Sequence, residues 1–313
     1  MYRFYTIFTF ALAILSFSCK NNNVENDKNF VNSVYYWTTT FRLSPEKCDF
    51  LKDNDIKRLY IRFFDVVIDE QERIMHNATI LFQDSVPQGI EVIPTVFITN
   101  ECMMLNTDSL AERIVRRTRQ MCKTHHIQNV NELQIDCDWT KLTQKRFFDF
   151  IAHTKDILHE QGWKLSITVR LHQLAAQLPE ADRGILMLYN TGDVANPDCN
   201  NPILDINDVM PYLQQLSDCK MNLSAAYPIF QWDVLFRNNN FVGIQHFEEE
   251  YPTMEGDNII HHKTTMSQIN EVKEAINNIK PATNQEIILY ELSDKNIARF
   301  SASNFKSIYT HNK

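Results

Sequence analysis

The stretch LQIDCDWT, Leu133 to Thr140, decides how this chain is read. Leu133, Ile135, Cys137 and Trp139 alternate with Gln134, Asp136 and Asp138. That is the period of a β-strand, whose successive side chains point to opposite faces. A strand over 132–138 puts both carboxylates on one face. Buried carboxylates are costly unless paired or hydrogen-bonded, so this face is either a polar structural network or a site. Seven further runs have strand character: 34–40, 58–65, 91–98, 164–171, 184–190, 222–230 and 286–292. Helical periodicity falls between them at 109–126, 144–161, 207–217 and 266–279, and Gly162 suits the C-cap of the second. Strands alternating with helices pair in parallel, and eight such units predict a (β/α)8 TIM-like barrel, read as a single domain over 31–313. The second-to-third connection is only weakly helical. The stretch 231–285 is too long for one helix and is expected to hold an excursion around FRNNNFVG, 236–243.

Composition narrows the function. The 313 residues carry a net charge of -8, which argues against a nucleic-acid partner. All six glycines are isolated, so neither GxGxxG nor a P-loop exists. The six cysteines beyond Cys19 form no CxxC, and the histidines form no HxH or HExxH, so no metal or other cofactor is expected. Cys199 with Cys219 is a conceivable disulfide, and Cys137 reads as a small core residue. Residues 1–19 pair Arg3 with an apolar run of signal-peptide length, and LSFSC, ending at Cys19, resembles a bacterial lipobox. The expected product is lipidated at Cys19 and joined to the barrel by a polar tether over 20–30. Its membrane contact would be that lipid anchor, in the cell envelope and on the outer membrane.

Chemistry in such a barrel gathers at the carboxyl ends of the strands. Those ends carry Trp37, Arg62, Asp65, Thr99, Asp136, Asp138, Arg170, His172, Tyr189, Asn190, Gln231, Trp232 and Glu291. Tyr60, Arg62 and Phe64 share one face of the second strand, and Ser166, Thr168 and Arg170 one face of the fifth. Two inward arginines are thus expected to satisfy the two inward aspartates by charge-assisted hydrogen bonds. Asp65 has the parity opposite to Arg62, and only one of Tyr290 and Glu291 is expected to face inward. Trp37 and Trp232 are candidate platforms for sugar rings, whereas Trp139 follows the apolar parity into the core.

At this point Asp136-Cys137-Asp138-Trp139 resembles the D-x-D-W core of the fourth-strand signature of family 18 glycoside hydrolases. Met187-Leu188-Tyr189-Asn190 is similar to their sixth-strand M-x-Y-D, with Asn190 in place of Asp. The resemblance implies a barrel that acts on glycans. In that family the acid is a Glu two places beyond the second Asp, where this chain has Thr140. YYWTTTF, LQIDCDWT, LSITVRLHQL and RGILMLYNTGD also resemble an uncharacterised family of bacterial barrel proteins, often lipoproteins, over roughly 34–300. The leading reading is glycan processing by acid/base hydrolysis, with a carbohydrate as the bound partner. Asp138 would transfer the proton and Asp136 would orient it. Arg62 and Arg170 would bind or tune charge, Tyr189 and Asn190 would contact substrate, and Glu291 and His172 are further candidates. The rival is a non-catalytic glycan-binding or structural lipoprotein that has lost its donor at Thr140.

Overall fold

The computed structural model describes residues 30–245, 250–252 and 254–311. The expected leader with Cys19, and the tether up to residue 29, lie outside them. Eight parallel strands close into a barrel: β1 (Val31–Tyr36), β2 (Ile56–Ile68), β3 (Glu91–Ile98), β4 (Glu132–Asp136), β5 (Lys164–Arg170), β6 (Arg183–Met187), β7 (Leu223–Pro228) and β8 (Glu286–Tyr290). Each pairs with its neighbours in sequence, and β1 also pairs with β8, Val34 opposite Leu289, so no barrel edge is left open.

The helices bury one stripe each. Leu110–Thr124 turns Leu110, Ile114, Val115, Met121 and Cys122 inward, and Gln144–His159 turns Phe147, Phe150, Ile151 and Leu158 inward. That is the three-to-four-residue repeat of a helix packed on a sheet. Gly162, at φ 74°, carries the chain out of the second helix through the left-handed region, which a side chain would oppose. The expected helix over 207–217 is instead broken into Ile206–Val209, a 3-10 turn Met210–Tyr212 and Leu213–Asp218. Pro211 lacks the N–H that a continuous helix needs there. Only a 3-10 turn, Leu171–Ala175, joins β5 to β6.

The excursion after β7 is a three-stranded antiparallel sheet of Gln231–Arg237, Asn240–Gln245 and Asp257–Lys263. Asn238 and Asn239 make its tight turn, both with positive φ (50° and 64°), a geometry that asparagine tolerates and that matches strand twist. Cys199 and Cys219 carry no bridge, and every cysteine among the described residues is a free thiol. Cys137 and Trp139 are both buried, as expected.

At the amino ends of the strands a charged network fills the barrel floor. Glu286, the first residue of β8, accepts from Ser33 (2.6 Å), Tyr60 (2.9 Å), Ser224 (3.0 Å) and Arg183 (2.6 Å), and lies 3.1 Å from Arg58. Arg58 also pairs with Glu91 at 2.6 Å, and Arg183 with Glu132 at 2.9 Å. Burial alone would raise the Glu286 carboxyl. The two guanidiniums and the hydroxyl donors outweigh it and hold the group down at about 2. Seven of the eight strands are cross-linked here by polar contacts, all but β5.

Candidate active site

β4 stops at Asp136, so the alternation that joins Asp136 to Asp138 in the sequence ends between them. Asp136 stays in the barrel lumen with 3% of its side chain exposed, whereas Asp138 reaches the rim with 55% exposed. Thr168 Oγ1 donates to Asp136 Oδ1 at 2.6 Å, and Arg170 Nη2 lies 3.5 Å from the same oxygen. Asp138 Oδ1 is 3.9 Å from Arg170 Nε and 3.8 Å from His172 Nε2. One arginine therefore serves both aspartates, not two.

Arg62 is committed elsewhere. Its Nε donates to Asp65 Oδ1 at 2.7 Å, and its Nη2 also contacts Asp65. The expected parity fails because β2 has a bulge: Arg62 pairs with Thr95 and Phe64 with the very next residue, Val96. The extra residue turns Phe64 away and brings Asp65 round to the side of Arg62. Arg62 also stacks over the Trp37 ring at 5.4 Å.

The expectation that only one of Tyr290 and Glu291 faces inward is corrected as well. β8 ends at Tyr290, strict alternation ends with it, and both residues line the central cavity. That cavity, about 480 Å³, opens at the carboxyl ends of the strands. Its base and sides include Asp136, Arg170, Met187, Tyr189, Asn190 and Glu291. Aromatic rings form its walls: Tyr290 stacks on Tyr189 at 4.8 Å and 25°, Trp37 lies 5.7 Å from Tyr290, and Trp232 lies 5.3 Å from Phe230. Trp232, Gln231 and Gln245 come from the antiparallel insert, which builds one wall of the cleft.

Burial pushes the Glu291 carboxyl up to about 7, against the opposing pull of Arg62 and Lys47. The Tyr189 hydroxyl is buried without a hydrogen-bond partner among the described residues, and burial raises its pKa too. A smaller cavity, about 190 Å³, adjoins the first and shares Arg170, Met187, Tyr189 and Asn190 with it. Asp138 and His172 line this side chamber, not the main cavity.

Thr140 lines neither of the two cavities. It is exposed, and its backbone N–H donates to Thr143 Oγ1 at 3.0 Å in the turn that enters the helix Gln144–His159. Sequence reading placed Trp37, Asp136, Arg170, Tyr189, Asn190, Trp232 and Glu291 at the strand ends, and all seven line one cleft. It missed Phe97, Phe230, Gln245 and Lys295 as lining residues, and it set Tyr290 against Glu291 where both line the cleft. Tyr290 and Phe97 were legible only to a reader who knew where β8 ends and that β2 bulges beside β3. Among the described residues no group of three or more His, Cys, Asp or Glu is placed to hold a metal ion. Nor is any described helix long and apolar enough to cross a membrane.

Eight parallel strands with a polar, aromatic-walled cleft at their carboxyl ends define a (β/α)8 barrel. No protein-family model matches the chain, and no curated protein matches it. In fold it is similar to the spore cortex-lytic enzyme SleL of Bacillus megaterium, at TM-score 0.59 and 11% identity over 91% of this chain and 74% of that one. It is similar also to a chitinase of Chromobacterium violaceum, at TM-score 0.59 and 11% identity, covering 89% and 99% of the two chains. The GH18 chitinase ChiB of Flavobacterium johnsoniae matches at TM-score 0.53 and 11% identity, over 90% and 94%. These likenesses establish the barrel.

Proposed function

We propose that this protein binds glycan chains in the cleft at the carboxyl ends of its strands, and that it does so without a proton donor at the fourth-strand position used by family 18 enzymes. One observation carries the reading: the 480 Å³ cavity combines stacked aromatic walls with a polar base of Asp136, Arg170 and Asn190. Flat rings suit the apolar faces of sugars, and the polar groups suit their hydroxyls. The fold neighbours are named for chitin and for the spore cortex, which makes N-acetylated glycans the first ligands to try. A lipid anchor at Cys19, as read from the leader, would present the cleft to glycans of the cell envelope.

Calorimetric titration with a panel of oligosaccharides tests the reading. Trp37→Ala and Trp232→Ala are each expected to weaken binding by roughly tenfold, the effect of losing about 1.4 kcal/mol at a buried aromatic anchor. Absence of binding to every oligosaccharide would sink it, and would leave the polar lumen as a stability network alone.

A second reading keeps hydrolysis on the motif aspartates, with Asp138 as the proton-transfer group and Asp136 behind it. It is favoured by the approach of Asp138 to both Arg170 and His172 beside the shared cavity wall. Loss of turnover in Asp138→Asn with retained binding would support it.

A further inference from the structure

Among the described residues, Glu291 is the carboxyl of the main cavity to which no side chain is hydrogen-bonded or ion-paired. It follows directly on β8 and lines the same cavity as Asp136, Trp37 and Tyr290. Its backbone oxygen accepts from Asn296 Nδ2 at 3.2 Å. Among the described residues, however, no side chain donates to its carboxyl group and no cation lies within ion-pair distance of it. The cations that bear on it are engaged elsewhere: Arg62 with Asp65, and Lys47 with Asp294 at 3.2 Å and the Arg42 carbonyl at 3.2 Å. Asp136, in the same cavity, has both a hydroxyl donor and a guanidinium. Two carboxyl groups in one cleft with such different surroundings are arranged as an acid and its counterpart are arranged. A half-buried acid without a partner costs stability, and such costs concentrate at sites that use them.

We propose that Glu291 is the proton donor for cleavage of a glycosidic bond held across this cleft, a proposal that rests on the glycan-binding reading above. The Glu291 O–H proton passes to the glycosidic oxygen as the bond from that oxygen to the anomeric carbon breaks. The bonding pair leaves with the oxygen. A water molecule then adds its oxygen to the anomeric carbon and gives one proton to Asp136; solvent takes that proton from Asp136 and returns one to Glu291, which restores the starting state. The products are two shorter sugars, each with a free hydroxyl at the cleaved position. The donor thus sits after the eighth strand, whereas the fourth-strand position holds Thr140.

The test uses the full chain with an N-acetylglucosamine hexamer as probe, calorimetry for binding and mass spectrometry for products. The wild type is expected to bind the hexamer and release shorter oligomers. Glu291→Gln is expected to bind within a few-fold of the wild type while product formation falls on the order of 100-fold or more, the usual loss on removing a general acid. Wild-type turnover should also decline as pH rises through about 7, where Glu291 gives up its proton. The charged and titratable groups that face it are Arg62, Lys47, Lys295, Asp136, Tyr189 and Tyr290. The pH profile needs no variant, so it decides the matter even if Glu291→Gln folds poorly. Binding without products overturns the proposal and leaves the glycan-binding reading standing. Turnover that survives in Glu291→Gln but fails in Asp138→Asn overturns it in favour of the fourth strand. Failure to bind overturns both readings.

Discussion

Glu291→Gln should make the protein more stable, and the gain should depend on pH. In the fold the carboxyl holds its proton up to about 7, against an ordinary value of 4.5. Below 4.5 the group is protonated folded and unfolded, and it contributes nothing. Between the two values the folded state binds the proton and the unfolded state does not, so stability falls as pH rises. Above about 7 the full penalty applies. Each tenfold in proton affinity is about 1.4 kcal/mol, so the penalty approaches about 3 kcal/mol in alkaline solution. The isosteric amide carries no charge and escapes it. Urea unfolding of both proteins near pH 5 and near pH 8 measures the effect. The advantage of the variant should grow by about 2 to 3 kcal/mol between the two conditions. Because every other group is common to both proteins, the difference isolates Glu291. Parallel pH profiles for the two proteins would refute the reasoning, since they would mean that the carboxyl is solvated or paired.

The barrel floor predicts the opposite sign. Glu286 is held at about 2, so the stability it lends is complete above 4.5 and is lost as pH falls from there toward 2. Glu286→Gln leaves Arg183 and Arg58 short of a buried counter-charge, and should cost about 3–5 kcal/mol in thermal or urea unfolding at neutral pH; a loss below about 1 kcal/mol would mean that the network is not a closure device. Gly184, second in β6, is closely packed: an added Cβ would sit 2.7 Å from both Leu223 Cδ2 and Met221 Sδ, so those side chains would have to shift. Gly184→Ala should therefore lower stability by about 1–3 kcal/mol through overpacking, read as a drop in unfolding midpoint.

All eight strands were legible because buried parallel strands carry short apolar runs between helical stretches that repeat differently. Their ends were not. The run 34–40 suggested a strand through Thr40, yet β1 stops at Tyr36; the runs 132–138 and 184–190 likewise outlast β4 and β6. At the rim, residues keep strand-like character after the ladder has ended, because they still face the cleft or the helix layer. Asp136 and Asp138 paid the consequence, since period-two reasoning joined two residues that the fold separates into lumen and rim. Asp65 was hidden by the bulge in β2, a one-residue insertion that no single sequence announces. Glu291 could be placed at a strand end, but its isolation depends on Arg62 and Lys47 finding partners from other parts of the chain. The D-x-D-W and M-x-Y-N stretches pointed to the right end of the barrel. They could not say which of their acids lines the main cavity.

The ionic floor and the aromatic cleft lie at opposite ends of the same eight strands, and this separation bears on how such a protein can change over time. Closure of the barrel is secured by Glu286, Arg183, Arg58, Glu132 and Glu91, none of which lines the cleft. Substitutions at the rim can then accumulate with little threat to the fold. For the engineer the same separation makes the rim a place to install or remove reactive groups, one residue at a time, on a frame whose integrity is anchored elsewhere.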